Sequence, residues 1–196
     1  MAIIVRQRRG AGSPGIMRAM KPARTRQGLL ALIAVAMLWA CSPTFDWREA
    51  RFEGSTLVAM FPCRPDHRVR PIELAGQRTT MQMDACAAGG ATFAVSIVEL
   101  TDPALVATAL QQLRAVAVAN VRGDAPQAVA WQLAGTTPNI DTTRISTRGQ
   151  LPDGATVVEH ATFFARGTKV HQASVIGAAP DREALEAFFA GLKFVP

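Results

Sequence analysis

The chain has 196 residues, 49% of them apolar, and a formal charge of +6. Seven of its basic residues (Arg6, Arg8, Arg9, Arg18, Lys21, Arg24, Arg26) lie in the first forty positions, where no acid occurs, leaving 14 bases against 15 acids in the rest. The body is therefore nearly neutral, which removes the footprint of a nucleic-acid-binding protein, and it is long enough for one domain with its own core.

The first element is the apolar run from Gly28 to Ala40. As a helix of about 1.5 Å rise per residue it reaches roughly 20 Å, short of the roughly 30 Å of a bilayer's hydrocarbon. Lys21, Arg24 and Arg26 precede it, the pattern of a secretory signal with its positive flank. Met20 is an alternative start, with residues 1–19 an over-long beginning. Leu38-Trp39-Ala40-Cys41 resembles the lipobox of bacterial lipoproteins, although a residue smaller than Trp39 is usual at its position. The resemblance implies cleavage after Ala40, a lipidated Cys41 as the mature N-terminus, and, with Ser42 rather than Asp next, an outer-membrane location. Two or three acyl chains, at about 0.8 kcal/mol per buried CH₂, make such anchoring effectively permanent. The alternative is an uncleaved N-terminal helix in the inner membrane. The expected organisation is a signal peptide at 1–40, a lipidated tether at 41–48 and one periplasmic domain at 49–196.

Thr56–Phe61 is rich in strand formers and stops at Pro62, which cannot donate to a ladder. Cys63 and Cys86 remain once Cys41 carries lipid. In an oxidising compartment an even pair predicts a disulfide; two free thiols, or a metal or catalytic site of Cys63 with His67, are the alternatives. His67–Leu74 reads as an exposed strand, with Arg64, Arg68 and Arg70 giving it a basic edge. Such charges guard an edge strand, and anionic headgroups are the functional alternative. Thr79–Ala85 alternates as a half-buried strand, Gly89-Gly90 turns the chain, and Phe93, Val95 and Ile97 line one face of the next strand.

Thr101-Asp102-Pro103 predicts a helix start, and Val106, Ala109, Leu110, Leu113 and Ala117 follow at helical spacing until Gly123. Ala128–Leu133 predicts a short strand with Trp131 facing inward, and Thr142–Gln150 another before the Pro152-Asp153-Gly154 turn. Thr156–Ala165 and Lys169–Ile176 predict a hairpin about Arg166-Gly167-Thr168. Pro180-Asp181 opens a last helix with Leu185, Phe188, Phe189 and Leu192 on one face, and Phe194-Val195 reads as a final strand fragment. The fold class expected is α+β, an antiparallel sheet covered by one long and one short helix.

Phe61-Pro62-Cys63-Arg64-Pro65 and the closing Phe188-Phe189-Ala190-Gly191-Leu192-Lys193-Phe194 resemble a group of bacterial envelope proteins with an F-P-x-x-P start and a Phe-rich C-terminal helix. Their architecture is similar to the PsbP-type α/β/α sandwich. The resemblance spans roughly residues 50–195 and implies a fold but no reaction.

Chemistry is sparse. No G-x-S-x-G, H-E-x-x-H or Walker loop occurs, and no pair of acids is placed for acid–base work. An Arg166-Gly167 turn would put His160 and His171 diagonally on one face, about 7 Å apart, where they could share a metal; a three-residue loop would send them to opposite faces. The expectation is a non-catalytic binding or assembly module without a cofactor, bound to the membrane by its lipid, with a possible envelope protein partner. The alternatives are a small-ligand or metal carrier using His160 and His171, and an unrecognised enzyme.

Overall fold

A computed structural model describes residues 44–196 of the chain. The leader, Cys41 and the first part of the tether lie outside the described residues. Seven antiparallel strands form the central sheet: β3 (Asp66–Leu74), β4 (Gln77–Ala88), β5 (Ala91–Glu99), β6 (Gln127–Ala130), β7 (Thr143–Gln150), β8 (Thr156–Arg166) and β9 (Lys169–Gly177). Their spatial order is β3-β4-β5-β9-β8-β7-β6. Strands β1 (Arg48–Arg51), β2 (Leu57–Phe61) and β10 (Lys193–Phe194) make a second, smaller sheet. Helix α1 is Val106–Asn120 and helix α2 is Arg182–Ala190. The fold is α+β, as the grouping of strands and helices predicts.

Side chains alternate across the strands, so the large sheet buries both faces. Phe93, Val95, Ile97, Phe164, Ala173 and Val175 point toward α2 and the small sheet, where they meet Leu57, Phe61, Leu185, Phe188 and Leu192. Val98, Ile145, Ala161, Phe163, Ala165 and Val170 point the other way, onto Ala109, Leu110, Leu113 and Ala117 of α1. The central strand β8 is apolar at consecutive positions for this reason; Phe163 and Phe164 are both fully buried, on opposite faces. The phenyl ring of Phe188 packs edge-on against those of Phe61 and Phe93, at 5.5 and 5.3 Å between centroids.

Caps fix where the helices begin. Asp102 accepts from the Ala104 N–H in a 3-10 turn, Pro103–Leu105, that leads into α1, and Asp181 accepts from the Ala184 N–H at the start of α2. The C-terminal end of α1 docks on β7, where the Gln150 N–H donates to the Val121 carbonyl at 2.5 Å. Only glycine permits this approach, since a Cβ on Gly149 would lie 2.0 Å from that carbonyl oxygen.

Cys63 and Cys86 are joined by a disulfide, the first of the alternatives open in the sequence. It ties the segment after β2 to the end of β4 nearest the Gly89-Gly90 turn. Closing a loop of 23 residues stabilises the fold by roughly 3 kcal/mol through the chain-entropy effect. The first described residues, Thr44 and Phe45, reach the same end, since a Cβ on Gly89 would lie 2.7 Å from the Phe45 ring. No helix among the described residues is long and apolar enough to cross a membrane.

Several elements differ from the expectation. Strand β1 lies outside the expected elements, and Phe45 and Trp47, within the expected tether, pack against the core. The strand expected at Ala128–Leu133 is Gln127–Ala130, so Trp131 lies past its end and meets Phe164 from the following loop. The β8–β9 turn is Gly167-Thr168, with Arg166 opposite Lys169. Gly167, at φ +60°, occupies the first central position of the turn, where a type II′ hairpin needs glycine. The histidines share a face, as a two-residue turn implies, but they are not diagonal neighbours: His171 pairs with Phe164, and His160 with Val175.

Candidate functional site

The histidines share a face of the sheet but sit four positions apart along β8, roughly 13 Å at a strand's rise of about 3.4 Å per residue. That separation is too long for both to ligate one ion. No group of three or more His, Cys, Asp or Glu side chains is placed to hold a metal among the described residues. His160 is half-buried beside α2. Burial, and then the neighbouring Arg144 guanidinium, lower its pKa. Arg144 itself is held by a forked pair to Glu186 at 2.9 and 3.1 Å and lies 4.3 Å over the Phe189 ring.

His67 Nδ1 lies 2.5 Å from Asp84 Oδ1, its cross-strand partner, while Cys63 is bonded to Cys86 and not to a metal. Arg68 and Arg70 lie exposed on the edge strand β3, and Arg64 is exposed just before it. Arg70 reaches back to the Met81 sulfur at 3.8 Å. These residues form no enclosed site with one another.

His171 is different. Its imidazole is fully buried, stacked 4.9 Å from Phe164 with the rings 6° from parallel, and met edge-on by Phe194 at 5.5 Å. Neither ring nitrogen makes a well-formed hydrogen bond among the described residues, although the backbone carbonyls of Phe164 and Lys169 lie near enough to favour its protonated form slightly. Burial drives its pKa down to about 4, so the ring is neutral at pH 7, with one N–H and one lone pair.

A cleft of about 190 Å³ opens over this ring. One wall is the end of the β8–β9 hairpin, with Arg166 and Lys169. The other is Ser55-Thr56, which follows the turn at Gly54 between β1 and β2. The Arg166 guanidinium donates to Thr56 Oγ1 at 3.0 Å and lies 4.9 Å over the Phe194 ring. Lys169 pairs with Glu99 at 2.7 Å. Ser55 Oγ accepts from the Leu57 N–H at 3.1 Å. The hairpin turn is braced on both sides: the Gly167 N–H donates to Thr137 Oγ1, and the Leu100 N–H to the Thr168 carbonyl. A second hollow of about 370 Å³, lined by Glu53, Gln82 and Glu99, adjoins the cleft at Gly54 and Lys169.

The cleft's lining holds two cations and no acid. A larger hollow of about 890 Å³, lined by Trp131, Leu133 and Ile140 after β6, has no ionisable side chain. Size therefore does not identify the site; convergent polar groups do. Fully buried Glu159 is the other group with a large shift, on the α1 face of β8. Its Oε2 has no partner and burial raises its pKa to about 7. It lines neither the cleft nor the hollow that adjoins it.

Sequence reasoning names His171 but not Arg166, Lys169, Ser55 or Thr56. The hairpin register brings Arg166 opposite Lys169, so correct phasing of the Gly167 turn would have found that half. A scan of protein-family models finds no match to the chain, and a search of curated proteins finds none.

Proposed function

We propose that the chain is a lipid-anchored envelope lipoprotein, and that its folded domain is a non-catalytic binding or assembly module facing the periplasm. The observation that carries this reading is Leu38-Trp39-Ala40-Cys41 after a short apolar run with a basic flank. A disulfide between Cys63 and Cys86 supports an oxidising compartment. A central antiparallel sheet with helices on both faces supports the finer assignment to the PsbP-type sandwich. The outer membrane is the favoured location, by Ser42; an uncleaved inner-membrane helix is the competing arrangement.

Mass spectrometry of the chain produced in a bacterial envelope tests it. The expected species begins at Cys41 with attached acyl chains and an oxidised Cys63–Cys86 pair. A chain beginning at Met1 or Met20 without lipid, and with reduced thiols, overturns the reading.

The second reading is a small-ligand carrier, favoured by the cleft over His171. Its metal form, using His160 and His171 together, meets the obstacle of their separation. Calorimetric titration with Zn²⁺ and Cu²⁺ tests that form: no heat at micromolar metal removes it.

A further inference from the structure

We propose that the cleft between the β8–β9 hairpin and the turn after β1 binds the phosphate group of a small anionic molecule. The argument is a count of donors. Arg166 presents five N–H groups and uses one on Thr56; Lys169 has three and uses one on Glu99. The Thr56 and Ser55 hydroxyl oxygens already accept, from Arg166 and from the Leu57 N–H. Each hydroxyl keeps its own proton free to donate into the cleft.

Four side chains therefore converge with donors to spare; Glu99, which holds one Lys169 N–H, lies outside the cleft's lining, in the adjoining hollow. A tetrahedral oxyanion, with several strong acceptor oxygens, matches that set better than a neutral ligand. Beneath lies the His171 ring, fully buried, its nitrogens met only by the poorly aligned backbone carbonyls of Phe164 and Lys169. A poorly paired buried donor is unfavourable, and a ligand oxygen that reaches it removes the deficit. The ring covering it is Phe194, in a two-residue strand paired only with β2. An anion that draws Arg166 away from Phe194 loosens that cover. The volume fits one phosphate group, and the adjoining hollow leaves room for the rest of a small molecule.

The inference rests on the binding-module reading, not on the lipid, so acylation of Cys41 is scored separately by mass. The test is calorimetric titration of the full chain in phosphate-free maltoside micelles at constant ionic strength. One arm adds inorganic phosphate, and the other adds phosphatidylglycerol to the micelles. Saturable binding is expected, with Kd below about 1 mM. Arg166→Ala and Lys169→Ala each weaken it about tenfold; Arg182→Ala, on α2, leaves it unchanged. His171→Phe keeps the ring stack and weakens binding severalfold, with thermal unfolding reporting that the variant is folded. Saturation by inorganic phosphate assigns a soluble ligand, and saturation by the lipid alone, lost in the Arg166 and Lys169 variants, assigns a headgroup. No saturation in either arm up to about 10 mM, or equal binding by the variants, overturns the proposal.

Discussion

The two faces of the central sheet each bury one ionisable side chain without a full set of hydrogen bonds. On the α1 side it is Glu159, on the α2 side His171. Burial favours the uncharged form of both, raising the carboxyl to about 7 and lowering the imidazole to about 4. Their surroundings differ. Thr147, opposite Glu159 on β7, gives its proton to the Asp124 carbonyl instead. His171 lies under a cleft lined by Arg166, Lys169 and two hydroxyls. Both side chains are closed to solvent, and only the polar groups above His171 set the two apart, so a perturbed pKa alone does not mark a site.

Truncating the two cores tests how much each face contributes. Phe188→Ala removes the ring shared by Phe61, Phe93 and Phe189, and is expected to cost about 4 kcal/mol. Leu110→Ala on the α1 side, away from any aromatic cluster, is expected to cost about 3 kcal/mol. Urea unfolding measures both, and a larger loss for Leu110→Ala would reverse the ranking of the faces.

Protonation sharpens the contrast. Glu159 has a folded pKa above its ordinary 4.5, so its stabilisation is complete below pH 4.5 and is lost as pH rises through 7. Glu159→Gln is expected to gain about 3 kcal/mol over wild type at pH 8 and little at pH 4. His171 has the opposite sign. Its folded pKa lies below the ordinary 6.5, so the folded state loses stability as pH falls from 6.5 to 4. His171→Phe is expected to gain about 1 kcal/mol at pH 7, by removing poorly paired nitrogens, and more at pH 4. Between pH 4.5 and 6.5 the two contributions oppose each other. Denaturant midpoints across pH 4–8 check this: the difference from wild type must grow with pH for Glu159→Gln and shrink with pH for His171→Phe.

The smallest effect lies at the edge of the α2 face. Arg144→Ala removes the stacking on Phe189 and the pair to Glu186, whose side chain is mostly exposed, and is expected to cost about 1 kcal/mol. Its removal should also raise the His160 pKa, readable from ring proton shifts, since Arg144 helps to lower it.

Alternation at Phe93, Val95 and Ile97, the Asp102-Pro103 start and the Asp181 cap made the sheet and both helices legible in the sequence. Arg48–Arg51 was not, because a strand of Arg-Glu-Ala-Arg with only Ala50 buried has no apolar face to read. The His171 register depends on whether Arg166 or Thr168 shares the two-residue turn with Gly167, and the structure has Thr168. The cleft was out of reach for a different reason: Arg166 meets Thr56 across 110 residues, and nothing in either stretch points to the other.

The chain enters the sheet beside Gly89 and Gly90, whereas Arg166 and Lys169 stand at the opposite end of the strands. The nine residues of β5, from Ala91 to Glu99, span those ends, eight steps or roughly 27 Å at about 3.4 Å each. The cleft thus stands several Debye lengths, about 8 Å each in physiological salt, from the end where Thr44 and Phe45 lie. A charge at one end of the strands is therefore screened from an anion at the other.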